Sequence, residues 1–203
     1  MNDNVVLGEG TVVEDYVVLG SGFSGRKLFI GEKSLIRSHS VIYAGNEIGR
    51  NFNTGHGVLV RENNVIGNDV SIGSHTVVER ENLIGDGVRV HSNCFIPEFA
   101  IIEEGVWIGP STTILNVLHP PCPRFEDCAR SVRIKRGARI GGGVIIGPRV
   151  SIGENTLIGM GSVVTRDVPD NVLAYGNPAR VMKRIDEMSC PPGYFDVPYE
   201  WVK

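Results

Sequence analysis

The chain is poor in several things, and each shortage excludes a class. Aromatic residues are 7% of its 203 residues, and tryptophan occurs twice. No apolar run approaches the roughly 18 residues that a membrane-spanning helix needs. Four cysteines, at 94, 122, 128 and 190, are too few and too irregular for a disulfide framework. The opening MNDNVVLGEG lacks the basic and apolar regions of a secretory leader, so a cytoplasmic protein is expected. Excess positive charge is missing too: the formal net charge is -3, which disfavours nonspecific nucleic-acid binding. What the chain has in quantity is glycine, 26 residues, without a matching excess of proline at 11. That balance argues against a disordered low-complexity chain.

The glycines follow a period. Stepping by six from Ile30 gives Ile36, Ile42, Ile48, Thr54, Val60, Ile66, Ile72, Val78, Ile84, Val90, Ile96, Ile102, Ile108 and Ile114, so fourteen of fifteen positions are Ile or Val. The period breaks over 117–133 and resumes in a new phase at Ile134, Ile140, Ile146, Ile152, Ile158 and Val164. A weaker first phase holds Leu7, Val13 and Leu19. Gly often follows the aliphatic residue, and a small or β-branched residue often stands two before it. Neither the helical period of 3.6 nor the strand period of 2 gives six. A short strand plus a tight corner does, with the aliphatic packed inward and Gly expected to supply the positive φ of the corner. Three hexads make a triangular coil of 18 residues, and stacked coils bury a continuous aliphatic column. The 24 phase positions make about eight coils, a prism roughly 38 Å tall at strand spacing.

Two segments sharpen this. The repeated [LIV]-G-x-x-[STAV]-x pattern resembles the hexapeptide-repeat, or LpxA-like, acyltransferase superfamily over about residues 5–185. The run Gly159-Met-Gly-Ser-Val-Val-Thr-Arg-Asp-Val-Pro, then Gly176-Asn-Pro-Ala-Arg, is similar to the closing signature of its acetyl-CoA-dependent members, with Met160 in place of a small residue. The resemblance implies an all-β fold, a left-handed parallel β-helix, whose handedness departs from the usual right-handed crossover. The expected organisation is a β-helix over 1–165 with a loop excursion at 117–133. Residues 166–203 then form a connection, a short helix over Pro178–Met188 and an extended arm. The helix is expected from Pro at its first turn and from the spacing of Val181, Met182 and Ile185.

Residues 18 apart stack on one edge. His39, His75 and Asn93 share a column, and His56 and His91 lie one and two places earlier on the same corner. The next corner carries Glu62, Arg80, Glu98 and Asn116 in one column. A salt-bridge ladder and hydrogen-bonded turn histidines are the plain structural readings of these columns. The clustering also fits catalysis or ligation by at least one histidine.

The stretch Val88–Pro110, followed by Asn116, resembles nucleotide-sugar N-acetyltransferases of surface-polysaccharide synthesis, with His91 where an amide is common. That resemblance implies transfer of acetyl from acetyl-CoA to the amine of a UDP- or dTDP-linked amino sugar. It implies Asn93 near the thioester and roles for Glu98 and Asn116. His75, His91, Glu98 or the departing thiolate are candidates to take the amine's proton. O-acetylation of a sugar hydroxyl is the alternative acceptor chemistry, and needs a stronger base because the hydroxyl pKa is far higher. For the donor, small corners at Gly141, Gly142, Gly143, Gly159, Gly161 and Ser162 are expected to admit a pantetheine arm. Arg139, Arg149, Arg166, Arg180 and Lys183 supply positive charge for phosphates. The resemblance also implies a C3 homotrimer with sites between subunits, and cyclic closure suits flat prism faces.

The loop LHPPCPRFEDC holds His119, Cys122 and Cys128, which raises a metal site against the reading of a substrate-covering loop. Cys94 and Cys190 read as packing residues. A γ-carbonic-anhydrase-like hydratase is a further alternative, drawing on His39 and His75, although no two histidines are five apart. A noncatalytic β-helix serving assembly is a third.

Overall fold

The computed structural model describes residues 3–22, 25–190 and 192–199. Short strands alternate with turns around a triangular solenoid. Sheet A has eight strands, running from Val5–Leu7 to Ser151–Ile152. Sheet C also has eight, from Val18–Ser21 to Val163–Val164. Sheet B has ten: parallel strands from Val12–Val13 to Leu157–Ile158, then Val172–Gly176 and Ala179–Arg184. Within the coils every strand pairs in parallel with the one a coil away, Ser71 with Arg89 and Ile72 with Val90 for example. About eight coils result, as the period requires.

The inward column is the aliphatic column of the sequence: Ile36, Ile42, Ile72, Ile96, Ile108, Ile114, Ile140 and Ile146 are at most 1% exposed. The residues two before them are buried as well, including Val70, Thr76, Val88, Val106, Thr112 and Ala138. Cys94, at 2% exposure, belongs to this layer, and burial pushes its thiol pKa up. Three buried asparagines join the layer in successive coils. The amide oxygen of Asn46 accepts from the Asn64 backbone N–H at 2.8 Å, that of Asn64 from Asn82 at 2.8 Å, and that of Asn82 from Ala100 at 2.7 Å. This ladder satisfies buried amides that an aliphatic residue there would leave to the backbone alone.

The glycines after the aliphatics play a different part from the one expected. Left-handed backbone occurs two places further on, at residues such as Asn63 (φ 62), Asp69 (59), His75 (57), Asn93 (60) and Gly161 (68). Gly73, Gly109 and Gly141 are small because the next coil passes so close. A Cβ on Gly141 would lie 2.5 Å from the Met160 amide nitrogen, and one on Gly109 2.6 Å from that of Gly142.

The chain leaves the solenoid after Ile114 and returns at Arg133, with one helical turn, Phe125–Cys128, inside the excursion. The helix expected over Pro178–Met188 is replaced by the strand Ala179–Arg184 and a single 3-10 turn, Ile185–Glu187. The reason is the sheet edge. Val172–Gly176 adds to sheet B beside Leu157–Ile158 and presents unpaired backbone groups on its far side, which the returning segment covers as an antiparallel partner. The residues past this hairpin, 192–199 of the expected arm, are described without helix or strand.

Candidate functional site

Two corners border sheet C, and they carry the candidate residues. The B–C corner joins sheets B and C. Down its column of left-handed residues stand His39, Gly57, His75, Asn93, Ser111, Gly143 and Gly161. Backbone hydrogen bonds stitch this corner without a break: His75 N–H to His56 at 2.9 Å, Asn93 to Ser74 at 2.9 Å, Ser111 to Ser92 at 2.9 Å, Gly143 to Pro110 at 2.8 Å and Gly161 to Gly142 at 2.9 Å. The histidine end and the glycine end are therefore parts of one edge. His and Asn are favoured there over most residues, for which the conformation costs roughly 1–2 kcal/mol. His75, His91 and Asn93 are exposed. His39 stacks on Tyr16 at 5.2 Å between ring centroids, and His56 Nδ1 lies 2.9 Å from the Ser38 hydroxyl. Those two are held as turn residues, whereas the His91 ring leans on Trp107 at 4.6 Å.

At the glycine end, Gly141, Gly142, Gly143, Gly159 and Gly161 leave the corner without side chains, and Met160 projects from among them at 83% exposure. Ser162 departs from this group. It is buried, its hydroxyl donating to the Gly159 carbonyl at 2.6 Å and accepting from the Gly176 N–H at 3.2 Å. Arg166, Arg180 and Lys183 are exposed beyond the last coil, while Arg149 belongs to the C–A corner column with Phe99. Arg139 stands apart on sheet B.

The C–A corner, joining sheets C and A, is a charged strip. Arg61 binds Glu62 at 2.9 Å and Glu79 at 3.4 Å, and Arg80 binds Glu81 at 3.2 Å. Burial works to raise the Glu62 pKa, but the Arg61 hydrogen bond, a backbone hydrogen bond and the charges of Arg61 and Arg80 together outweigh it and leave the carboxyl below its ordinary value. Burial lifts the Glu79 carboxyl above its ordinary value, against the pull of Arg61. The Asn116 amide donates to Glu98 at 2.8 Å, so the two candidates of this column are already joined. The returning excursion caps them, with the Arg130 N–H donating to the Asn116 carbonyl at 2.9 Å.

Within one chain, His75 and Asn93 lie at one margin of sheet C and Glu98 and Asn116 at the other. The outward face between them is apolar but for Thr113: Val41, Leu59, Val77, Phe95, Thr113, Ile145 and Val163 follow one another strand by strand.

The metal site raised at His119, Cys122 and Cys128 as the alternative to a covering loop finds no support. His119 is exposed, and among the described residues no three His, Cys, Asp or Glu side chains converge to hold an ion. The neighbouring Cys122 thiol instead raises the Cys128 thiol pKa.

Sequence reasoning missed a third feature, on the outward face of sheet B. There Arg89, Trp107, Arg139 and Leu157 stack in register on successive strands. The Tyr199 ring lies 3.9 Å from the Arg139 guanidinium. The space between is a groove of about 680 Å³.

Comparison with known proteins places the repeat. Residues 131–166 match the family model described as bacterial transferase hexapeptide, six repeats. No curated protein sequence matches the chain. Among solved structures, a UDP-N-acetylglucosamine acyltransferase from Bacteroides fragilis has 17% identity and a TM-score of 0.60, covering 90% of this chain and 71% of its own; it shares the fold. A hexapeptide-repeat acetyltransferase from Vibrio cholerae O1 biovar eltor, complexed with acetyl coenzyme A, has 28% identity and a TM-score of 0.39, covering 64% and 69%. WeeI from Acinetobacter baumannii has 19% identity and a TM-score of 0.46, covering 80% and 74%.

Proposed function

We propose that this protein of the hexapeptide-repeat superfamily is an acetyl-CoA-dependent acyltransferase that N-acetylates an amino sugar on a nucleotide carrier. The observation that carries the reading is the continuity of the B–C corner. Its glycine end lies inside the matched transferase repeat, and the same edge leads, coil by coil, to Asn93 and His75.

Pantetheine is slender, and an edge lacking side chains at Gly141, Gly142, Gly159 and Gly161 lets it approach the backbone. Arg166, Arg180 and Lys183 offer charge for the coenzyme's phosphates at the exposed end. The thioester carbonyl then lies toward Asn93. The amine nitrogen attacks that carbon, a C–N bond forms, and the tetrahedral oxyanion accepts from the Asn93 amide. Collapse breaks the C–S bond and CoA leaves as its thiolate, which becomes the thiol on taking the nitrogen's proton directly or from the protein base. The nitrogen's proton passes to His75, His91, Glu98 or that thiolate. Holding the two reactants together supplies much of the barrier reduction, which is why so few groups suffice.

The functional unit in this reading is a homotrimer. If three copies turn sheet C toward a threefold axis, the apolar column is buried. Each B–C corner then meets a neighbour's C–A corner. His75 and Asn93 of one subunit and Glu98 and Asn116 of the next would form one site. Closed rings of this kind are common among homo-oligomers.

Calorimetric titration with acetyl-CoA tests the donor. Micromolar binding at about one per chain is expected, followed by thiol release on adding UDP- or dTDP-linked amino sugars. No binding at millimolar ligand rejects the acyltransferase reading. Chains carrying Asn93→Ala and chains carrying Glu98→Gln should each be inactive alone. Mixed oligomers should regain part of the activity, because one composite site in the ring is then intact. No regain on mixing rejects the shared site.

A further inference from the structure

The outward face of sheet B carries a feature that acetyl transfer at the B–C corner does not use. Arg139 is half-buried, yet no carboxylate among the described residues pairs with it. Its guanidinium donates to the Gly137 carbonyl at 2.9 Å and meets the Tyr199 ring. Burial pushes its pKa down, as expected for a charge without a counter-ion. The nearby Asp186 is committed to Arg184 at 3.0 Å. Arg89, two strands away, likewise has no carboxylate partner among the described residues. Trp107 lies between the two arginines in register, and the His91 ring leans on it at 4.6 Å. Gly87 and Gly105, where a Cβ would meet nothing, leave the groove mouth open.

Two guanidinium groups flanking an indole, one of them against a second aromatic ring, suit a ligand that joins a planar base to negatively charged phosphates. Arginines take phosphate oxygens in pairs, and the indole face takes a base. The groove's volume lies within the usual range for small-molecule sites. We propose that this groove binds the nucleoside diphosphate of the sugar-nucleotide acceptor, with its phosphates on Arg89 and Arg139 and its base against Trp107. The proposal rests on the N-acetyltransferase reading for its sugar, and deepens it by naming the specificity site. From Trp107 to the corner residue Ser111 the chain advances four residues, at most roughly 13 Å at strand rise. The sugar beyond the diphosphate would therefore reach across His91 to Asn93.

The test is titration with UDP, dTDP and 3′-phosphoadenosine 5′-diphosphate, followed by tryptophan fluorescence in a Trp201→Phe background so that Trp107 is the reporter. Acetyl-CoA is titrated in parallel. UDP or dTDP should quench Trp107. Arg139→Gln should weaken the uridine or thymidine nucleotide at least tenfold, and the exposed Arg89→Gln about threefold to tenfold. Acetyl-CoA affinity should remain, which also shows that each variant folds. Unchanged UDP and dTDP affinity in both variants overturns the proposal. So does failure of both nucleotides to bind while acetyl-CoA binds, an outcome that leaves the acyltransferase reading standing. Loss of 3′-phosphoadenosine 5′-diphosphate and acetyl-CoA binding in the variants, with UDP and dTDP unaffected, gives the groove to the donor and overturns the acceptor assignment. Failure of every ligand, acetyl-CoA included, rejects the acyltransferase reading and the groove together.

Discussion

A hexad has two special positions after its aliphatic residue, and they answer to different physics. The first is often Gly, and at Gly73, Gly109 and Gly141 the next coil passes too close for a side chain, although Arg61, Glu79 and His91 occupy the same position elsewhere. The third must tolerate a left-handed backbone. Counting glycines alone merges the two, because Gly serves both. Gly141 and Gly142 separate them by experiment. An alanine Cβ at 141 would lie 2.5 Å from the Met160 nitrogen, and neither backbone can give way without breaking the ladder. At 142 the nearest atom is the Pro110 carbonyl oxygen at 3.3 Å, and the backbone is not left-handed. Gly141→Ala should cost about 1–3 kcal/mol, the usual penalty of overpacking. Gly142→Ala should be close to neutral. Denaturant midpoints of the two variants decide it, and equal losses would reject the distinction. The same geometry tempers the histidine cluster. His39 and His75 occupy the left-handed position, which already favours His, Asn and Asp. Their column was legible from 18-residue spacing, but spacing says nothing of why a histidine is there.

At the scale of strands and coils, the sequence resolved what repeats and missed what interrupts. Register, coil number and the inward column follow from the period, because each coil pairs with the next in parallel over its short strands. The asparagine ladder is written at the same spacing, Asn46, Asn64 and Asn82 being 18 apart, but polar residues do not register in a search for aliphatics. Asn64→Ala tests its weight. The substitution leaves the buried Asn82 N–H without its partner, whereas the Asn46 side-chain oxygen loses the Asn64 side-chain amide but keeps the backbone N–H of residue 64. A loss of about 1–3 kcal/mol is expected from the one buried N–H left unpaired. A loss under 1 kcal/mol in urea unfolding would mean that water or a neighbouring carbonyl already serves it. The C-terminal hairpin failed for another reason. Val181, Met182 and Ile185 fit a helical spacing, yet an open sheet edge imposes pairing on the next segment whatever its local pattern. The sheet B groove was hidden by arithmetic. Trp107 and Arg139 are adjacent in register but 32 residues apart, which is 18 plus the 14 that the excursion inserts. Stacking by 18 cannot cross that insertion.

The three outward faces of the whole prism differ in character, and the difference predicts how copies meet. Sheet B is polar and cationic around Arg89 and Arg139. Sheet A interrupts its apolar column with Glu47 between Phe29 and Val65, and with Arg133 after Ile101. Sheet C has no charged residue from Val41 to Val163 along its register. Charged residues are depleted at the centre of subunit interfaces. It follows that one charge on sheet C should disrupt the assembly, whereas the same charge on sheet A should not. Val77 and Leu83 make the comparison, since both point outward in the same region and neither is in the buried core. If the proposed trimer packs through sheet C, Val77→Lys should shift the sedimentation of the protein from trimer to monomer. It should also abolish acetyl transfer, because His75 and Asn93 would lose the neighbour that supplies Glu98 and Asn116. Its circular dichroism should stay that of a β-solenoid, since the side chain leaves no cavity. Leu83→Lys should sediment as the unchanged protein does. A Val77→Lys monomer with full activity would show that each chain's corner is complete in itself. A Leu83→Lys monomer would show that sheet A, despite its charges, is the face turned toward the axis.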